Sequence, residues 1–166
     1  MDREPVNLLF IGMPSAGKTT VGALVADLLG LPFYDFDRVI EANTGRTVPE
    51  IFHEDGESAF RALEHETALA LAEKRGVVLS PGGGIVENAG AMAALRAHAV
   101  TCRLLRDPAL IDITGRPLLQ RPGAVERLLA RRGPLYDKYA DFTVENNDAP
   151  GDCARRVIKR FEELTK

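Results

Sequence analysis

The chain has only two cysteines, Cys102 and Cys153, far apart and without a C-x-x-C spacing. That argues against a disulfide framework or a thiolate metal site and predicts buried free thiols in a reducing compartment. The three histidines, His53, His65 and His98, are scattered with no metal-ligand spacing. No apolar run is long enough to cross a bilayer, and the short, charged N-terminus Met1–Pro5 is not a signal peptide. A cytoplasmic location is expected. There is no repeat, linker or low-complexity stretch. Charge of one sign is also lacking: the formal net charge is −3, and nothing suggests a general nucleic-acid surface. What remains, 166 residues with 45% hydrophobic and 27% charged content, suits one soluble globular domain with a real core.

Against these absences stands one dense motif. Gly12-Met13-Pro14-Ser15-Ala16-Gly17-Lys18-Thr19-Thr20 fits G-x-x-x-x-G-K-[ST], the P-loop pattern. It follows the apolar run 6–11 and precedes an amphipathic run from Val21 to Leu29, the strand-loop-helix setting the motif requires. Glycines at 12 and 17 allow a tight turn and close ligand approach. Successive N–H groups then form an anion nest at a helix N-terminus. Lys18 is placed to reach β- and γ-phosphates, and Thr19 to ligate Mg²⁺. A nucleotide and Mg²⁺ are therefore the expected ligands.

Five short strands alternate with helices: residues 6–11, 33–34, 77–79, 99–105 and 142–144. Continuously apolar strands mean burial on both faces. The predicted fold is α/β, a three-layer α/β/α sandwich around a central parallel five-stranded sheet, as one domain over 1–166. The first helix is expected to bury Val21, Leu24, Val25 and Leu28, ending at Gly30 before Pro32. Asp37 is a candidate cap for the helix with Val39 and Ile40. Thr47-Val48-Pro49-Glu50 reads as a capping box, and Glu57 to Arg75 as a long helix with Phe60, Leu63, Thr67 and Leu71 along one face. Asn88 opens a helix to Ala97, and Asp107-Pro108 a short one. Residues 114–123 form a glycine- and proline-rich loop. A helix from Ala124 to Arg132 is expected to break at Gly133-Pro134, with a short helix holding Tyr136 and Tyr139 beyond. Pro150 begins a closing helix with Val157, Ile158, Phe161 and Leu164 inward.

Several charged residues admit two readings. Asp35 and Asp37 are each a cap or a catalytic group, and two carboxylates beside a P-loop favour catalysis. Arg61 on an amphipathic helix reads by itself as a solvated charge. Gly82-Gly83-Gly84 is a plain turn or a place of close ligand approach. Arg131 and Arg132 cannot share a helix face. Arg116 and Arg121 compete for one role on the loop, and Glu64, one turn after Arg61, is a surface charge or the group that orients that guanidinium.

Six motifs in order resemble the shikimate kinases, within the nucleoside-monophosphate-kinase-like P-loop fold. Besides the P-loop they are Asp35-Phe36-Asp37, Phe60-Arg61 with Glu64, Gly82-Gly83-Gly84, Arg116-Pro117-Leu118-Leu119, and Arg132-Gly133-Pro134-Leu135-Tyr136. The resemblance covers the chain from Val6 to about Pro150. It implies transfer of the ATP γ-phosphoryl to the 3-hydroxyl of shikimate. It implies catalytic roles for Asp37, Lys18 and Arg116, and shikimate contacts from Asp37, Arg61, Gly83, Gly84 and Arg132. It implies nucleotide contacts from Gly12, Ser15, Ala16, Gly17, Lys18, Thr19, Thr20, Arg116 and Pro150, and Mg²⁺ held by Thr19 and Asp35. A lid at about 114–123, an acid-binding region at about 37–65 and a monomer with no nucleic-acid or membrane partner are implied as well. Arg131 is then expected to be solvated. One departure is visible. The segment 104–114 is short for the family and lacks an arginine where one stacks on adenine, since Arg106 comes too early. That leaves room for two other readings, a paralogue acting on another small hydroxy acid such as homoserine and a non-catalytic nucleotide-binding module.

Overall fold

A computed structural model describes residues 4–114, 116 and 119–166. The first strand, β1 (Asn7–Ile11), carries side chains that alternate between two buried faces. Leu9 and Ile11 join one apolar cluster, and Leu8 and Phe10 join another. Both faces of this strand are therefore dry, which forces the sheet into the middle layer of a three-layer molecule. The other strands are β2 (Phe33–Asp35), β3 (Val78–Ser80), β4 (Ala99–Leu105) and β5 (Phe142–Glu145). All neighbours pair in parallel in the order β2-β3-β1-β4-β5, with Leu8 opposite both Val78 and Val100. The expected α/β/α sandwich with five parallel strands is what the chain forms.

The helices are α1 (Lys18–Leu29), α2 (Phe36–Thr44), α3 (Val48–Asp55), α4 (Glu57–Ala72), α5 (Ala89–Arg96), α6 (Ala124–Tyr139) and α7 (Pro150–Thr165). Helices α1 and α7 cover one face of the sheet through Val21, Val25, Cys153, Val157 and Phe161. Helices α4, α5 and α6 supply Leu71, Met92, Leu95, Tyr136 and Tyr139 to the other. A small third cluster of Ile40, Ile51 and Phe60 joins α2, α3 and α4. That excursion has its own apolar anchor. Cys102 and Cys153 are buried free thiols. Among the described residues no helix is long and apolar enough to cross a membrane.

Four expectations need correction. Helix α1 turns Val21, Gly22, Val25 and Ala26 inward, while Leu24 is exposed and Leu28 is 59% exposed. Small residues face the sheet because Phe33 and Phe10 pack directly against Gly22. Helix α4 ends at Ala72, before Arg75. Helix α6 does not break at Gly133-Pro134 but runs through to Tyr139. Pro134 removes one backbone hydrogen bond, and the buried face of Arg132, Gly133, Tyr136 and Tyr139 holds the helix together across it. Leu164, at the end of α7, is exposed rather than inward.

Asn7, the one polar side chain on β1, is fully buried. Its Nδ2 donates to the Lys74 carbonyl at 2.8 Å, and its Oδ1 accepts from the Val77 N–H at 3.1 Å. It therefore clasps the turn that feeds β3 into the sheet. Asn7→Ala leaves both backbone groups without these partners and is expected to lower stability by about 2 kcal/mol, seen as a lower urea midpoint at unchanged slope.

Candidate active site

Strands β1, β2 and β3 end on one side of the sheet, and a cleft of about 1000 Å³ opens there. The turn after β1 makes its floor. Gly17 adopts φ 96°, and a Cβ on it would lie 2.3 Å from Asn146 Nδ2. Only glycine fits that position. Ser15, with φ 64°, is the single non-glycine residue at positive φ among the described residues. Such backbone turns the loop amides inward as an anion nest. Lys18 Nζ donates to the carbonyls of Gly12 and Met13 at 2.7 and 2.8 Å, so the ammonium is parked across its own loop. Ala16 is buried behind the loop, where its carbonyl accepts from Asn146 Nδ2 at 2.8 Å. Ser15, Gly17, Lys18, Thr19 and Thr20 all line the cleft.

Helix α2 starts where β2 stops, and its N-cap is Asp35 rather than Asp37. Asp35 Oδ1 accepts from the amides of Asp37 and Arg38 at 3.0 and 3.4 Å. Its other oxygen, Oδ2, accepts from Thr19 Oγ1 at 2.7 Å. Capping thus fixes the carboxylate that faces the P-loop and leaves Asp37, in the first turn, free to point into the cleft. Thr47 caps α3 as expected, its hydroxyl accepting from the Glu50 amide.

Opposite the P-loop, Arg61 and Arg132 line the same cleft. Arg61 Nη1 donates to Glu64 Oε1 at 3.0 Å. Glu64 is only 2% exposed, so it is the buried orienting group and not a surface charge. A Cβ on Gly84 would lie 2.7 Å from Arg61 Nη1, so the triple-glycine turn lets this guanidinium lie against backbone. Gly83 accepts from Tyr136 Oη at 2.7 Å, which ties that turn to α6. Arg132 is buried, with Nε donating to Glu87 Oε2 at 3.2 Å. Arg131, read as solvated, is largely exposed yet also meets Glu87. Arg116 Nε donates to Ser15 Oγ at 2.8 Å, across the P-loop, and Arg121 lines the cleft as well. Gly115, Pro117 and Leu118, which flank Arg116 in the lid motif, lie outside the described residues. Pro150 is exposed at the start of α7 and is not among the residues that line the cleft. Arg106 donates to the carbonyls of Leu110 and Asn146 and braces the segment after β4.

No sequence pattern marks Glu87 or Asn146. Their partners stand 45 and 130 residues away, and no local spacing marks such pairs.

The charges tune one another. Lys18 is pushed down to about 7, first by loss of hydration and then by Arg116 and Arg132. Asp37 is raised, mainly because the crowding walls strip its hydration and secondarily by Asp35 and Glu41. Glu64 is raised by burial, against the pull of Arg61. The Thr19 hydroxyl and the Asp35 carboxylate offer adjacent hard oxygens that suit Mg²⁺. Among the described residues no group of three or more His, Cys, Asp or Glu side chains stands ready to hold a metal. Phosphate and water oxygens would have to complete the shell.

For Lys18 the sign of the pH effect follows directly. The unfolded chain keeps this proton to about 10.5 and the folded one releases it near 7. Folding is therefore increasingly favoured by this group as pH rises from about 7 to 10.5. A polyphosphate in the nest calls the proton back. ADP titrations at pH 8 in buffers of different ionisation enthalpy are expected to show net proton uptake, absent in Lys18→Met. Identical heats in all buffers would show the lysine already charged.

A sequence model described as shikimate kinase matches residues 14–162. A shikimate kinase of Thermodesulfovibrio yellowstonii is 39% identical, covering 96% of each chain. One of Halorhodospira halophila is 41% identical, covering 97% of this chain and 94% of that one. The solved shikimate kinase of Acinetobacter baumannii in complex with shikimate superposes with a TM-score of 0.88 at 33% identity, covering 97% of this chain and 95% of that one. The enzyme from Aquifex aeolicus gives 0.86 at 32%, covering 95% and 97%.

Proposed function

The chain belongs to the shikimate kinase family, and on that premise we propose that it transfers the γ-phosphoryl group of ATP to the 3-hydroxyl of shikimate. One observation carries the reading. The anion nest with Lys18 and the two arginines suited to a carboxylate line one cleft, and Asp37 lines it with them. Phosphoryl transfer needs in-line positioning and neutralised charge more than covalent help. This cleft has the groups for both.

The P-loop amides and Lys18 hold the phosphates, and Lys18 regains its proton as it exchanges two carbonyls for phosphate oxygens. Arg116, parked on Ser15, reaches the same phosphates from above. Thr19 and Asp35 would hold Mg²⁺, which when bound neutralises the charge on the transferring group. Arg61 and Arg132 grip the shikimate carboxylate with guanidinium forks, while Gly83 and Gly84 offer backbone to its ring. Asp37 accepts the hydroxyl hydrogen bond and takes its proton. Its raised affinity for a proton suits that role. Residues at about 114–123 act as the lid that keeps water from the phosphate, and 37–65 form the acid-binding region. Pro150 stands on the nucleotide's adenine side, and Gly12, Ala16 and Thr20 complete the cradle. The enzyme works as a cytoplasmic monomer with no nucleic-acid or membrane partner.

A coupled assay with Mg-ATP and a panel of small hydroxy acids tests the acceptor. Shikimate is expected to give the highest kcat/KM, and a better homoserine or other hydroxy acid would replace it. Asp37→Asn should lower kcat by roughly 10²–10⁴ while ADP affinity is kept. Arg132→Ala should raise the KM for shikimate roughly thirtyfold or more, a loss of about 2 kcal/mol or beyond, with the KM for ATP little changed.

A further inference from the structure

Asn146 is the first residue after β5 and is only 3% exposed. Its backbone is tied to the exit of β4. The Asn146 N–H donates to the Leu105 carbonyl at 2.8 Å, and the Asn146 carbonyl accepts from Arg106 Nη1. Asn147 adds a third bond, its Oδ1 accepting from the Asp107 N–H at 2.8 Å. These bonds fix the point from which the Asn146 side chain starts. It ends on the P-loop, where Nδ2 donates to the Ala16 carbonyl at 2.8 Å. Its other terminal atom, Oδ1, is buried with no hydrogen-bond partner among the described residues. A buried amide oxygen left unpaired is destabilising. The side chain thus carries a loss on one side and supplies, on the other, one donor to one carbonyl of the loop.

That carbonyl belongs to the peptide unit that also carries the Gly17 N–H. The unit is planar and trans, so its C=O and N–H point in opposite directions. Holding the Ala16 carbonyl toward Asn146 turns the Gly17 N–H to the opposite side of the loop. Gly17 lines the cleft and Asn146 does not. Glycine at φ 96° has more backbone freedom than any other residue type, and here that freedom is removed at both ends. Asn146 holds the preceding carbonyl, and the Val21 N–H holds the Gly17 carbonyl at 2.8 Å.

We propose that Asn146 is a positioning residue for nucleotide binding: by holding the Ala16 carbonyl it aims the Gly17 N–H at the phosphates. It acts through the peptide unit and not by contact with substrate. The inference rests on the reading of this loop as the site of the ATP phosphates.

ADP affinity, measured by calorimetry in the wild type, Asn146→Ala and Asn7→Ala, tests it. Asn7 sits at the far end of β1 from the loop, so Asn7→Ala controls for a purely structural loss. Asn146→Ala is expected to weaken ADP binding by roughly tenfold or more, the effect of misaligning one donor to a charged group. The KM for ATP should rise with it and the KM for shikimate stay unchanged. Asn7→Ala should bind ADP as the wild type does, despite its lower urea midpoint. Wild-type ADP affinity in Asn146→Ala, an equal loss in Asn7→Ala, or an equal rise in both KM values overturns the proposal. Should Asn146→Ala fail to fold, Asn146→Asp decides. It keeps the volume and sets a carboxylate oxygen against the Ala16 carbonyl, and protonation restores an O–H donor. Relative to the wild type, its ADP affinity should be low at pH 8 and recover as the pH is lowered; a ratio that does not change with pH overturns the proposal. Absence of ADP binding in the wild type would instead overturn the reading of the loop itself.

Discussion

A polyphosphate cannot be held at neutral pH by side-chain cations alone without a desolvation cost that grows with each charge brought into the cleft. Backbone amides avoid that cost because they are dipoles already oriented by the fold. The turn between β1 and α1 is therefore the constraint on which the rest depends. It exists because β1 is dry on both faces, which fixes its C-terminal end, and because Leu104 of β4 and Asn146, just after β5, press against the loop. Lys18 shows what this arrangement does to a charge. Surrounded by protein and facing Arg116 and Arg132, it is left with a weakened hold on its proton and satisfies itself on two carbonyls until a stronger anion arrives.

The side of the cleft opposite the P-loop follows a different logic. Its cations are arginines with carboxylates behind them, Glu64 for Arg61 and Glu87 for Arg132. A guanidinium has donors to spare, so an acidic partner can fix one edge while the group still lines the cleft. The backing carboxylates limit rotamer freedom and also moderate the field.

These two sides meet through α6 and the turn after β3. Tyr136 bonds to Gly83, Glu87 reaches up to Arg131 and Arg132, and Gly84 lies against Arg61. The helix passes through Pro134 at the cost of one hydrogen bond, and its buried face compensates. Breaking it there would set Arg132 and Tyr136 on separate elements.

The amino-acid sequence determined everything that depends on neighbours along the chain. The P-loop, the apolar strands, the caps at Thr47, Asn88 and Asp107, and the parallel three-layer architecture are short-range patterns, set by backbone preference and by which faces must be dry. The grouping of Lys18, Asp37, Arg61 and Arg132 was legible only through motifs whose order matches a family. Tertiary structure alone decided which of Asp35 and Asp37 caps and which stays free. It turned the small residues of α1 toward the sheet in place of Leu24 and Leu28, and it carried α6 through Pro134. It also paired Glu87 with Arg131 and Arg132, and Asn146 with Ala16. For α6, Glu87 and Asn146 the deciding partner lies far away in the chain, and its contact energy outweighs the local preference that sequence patterns record.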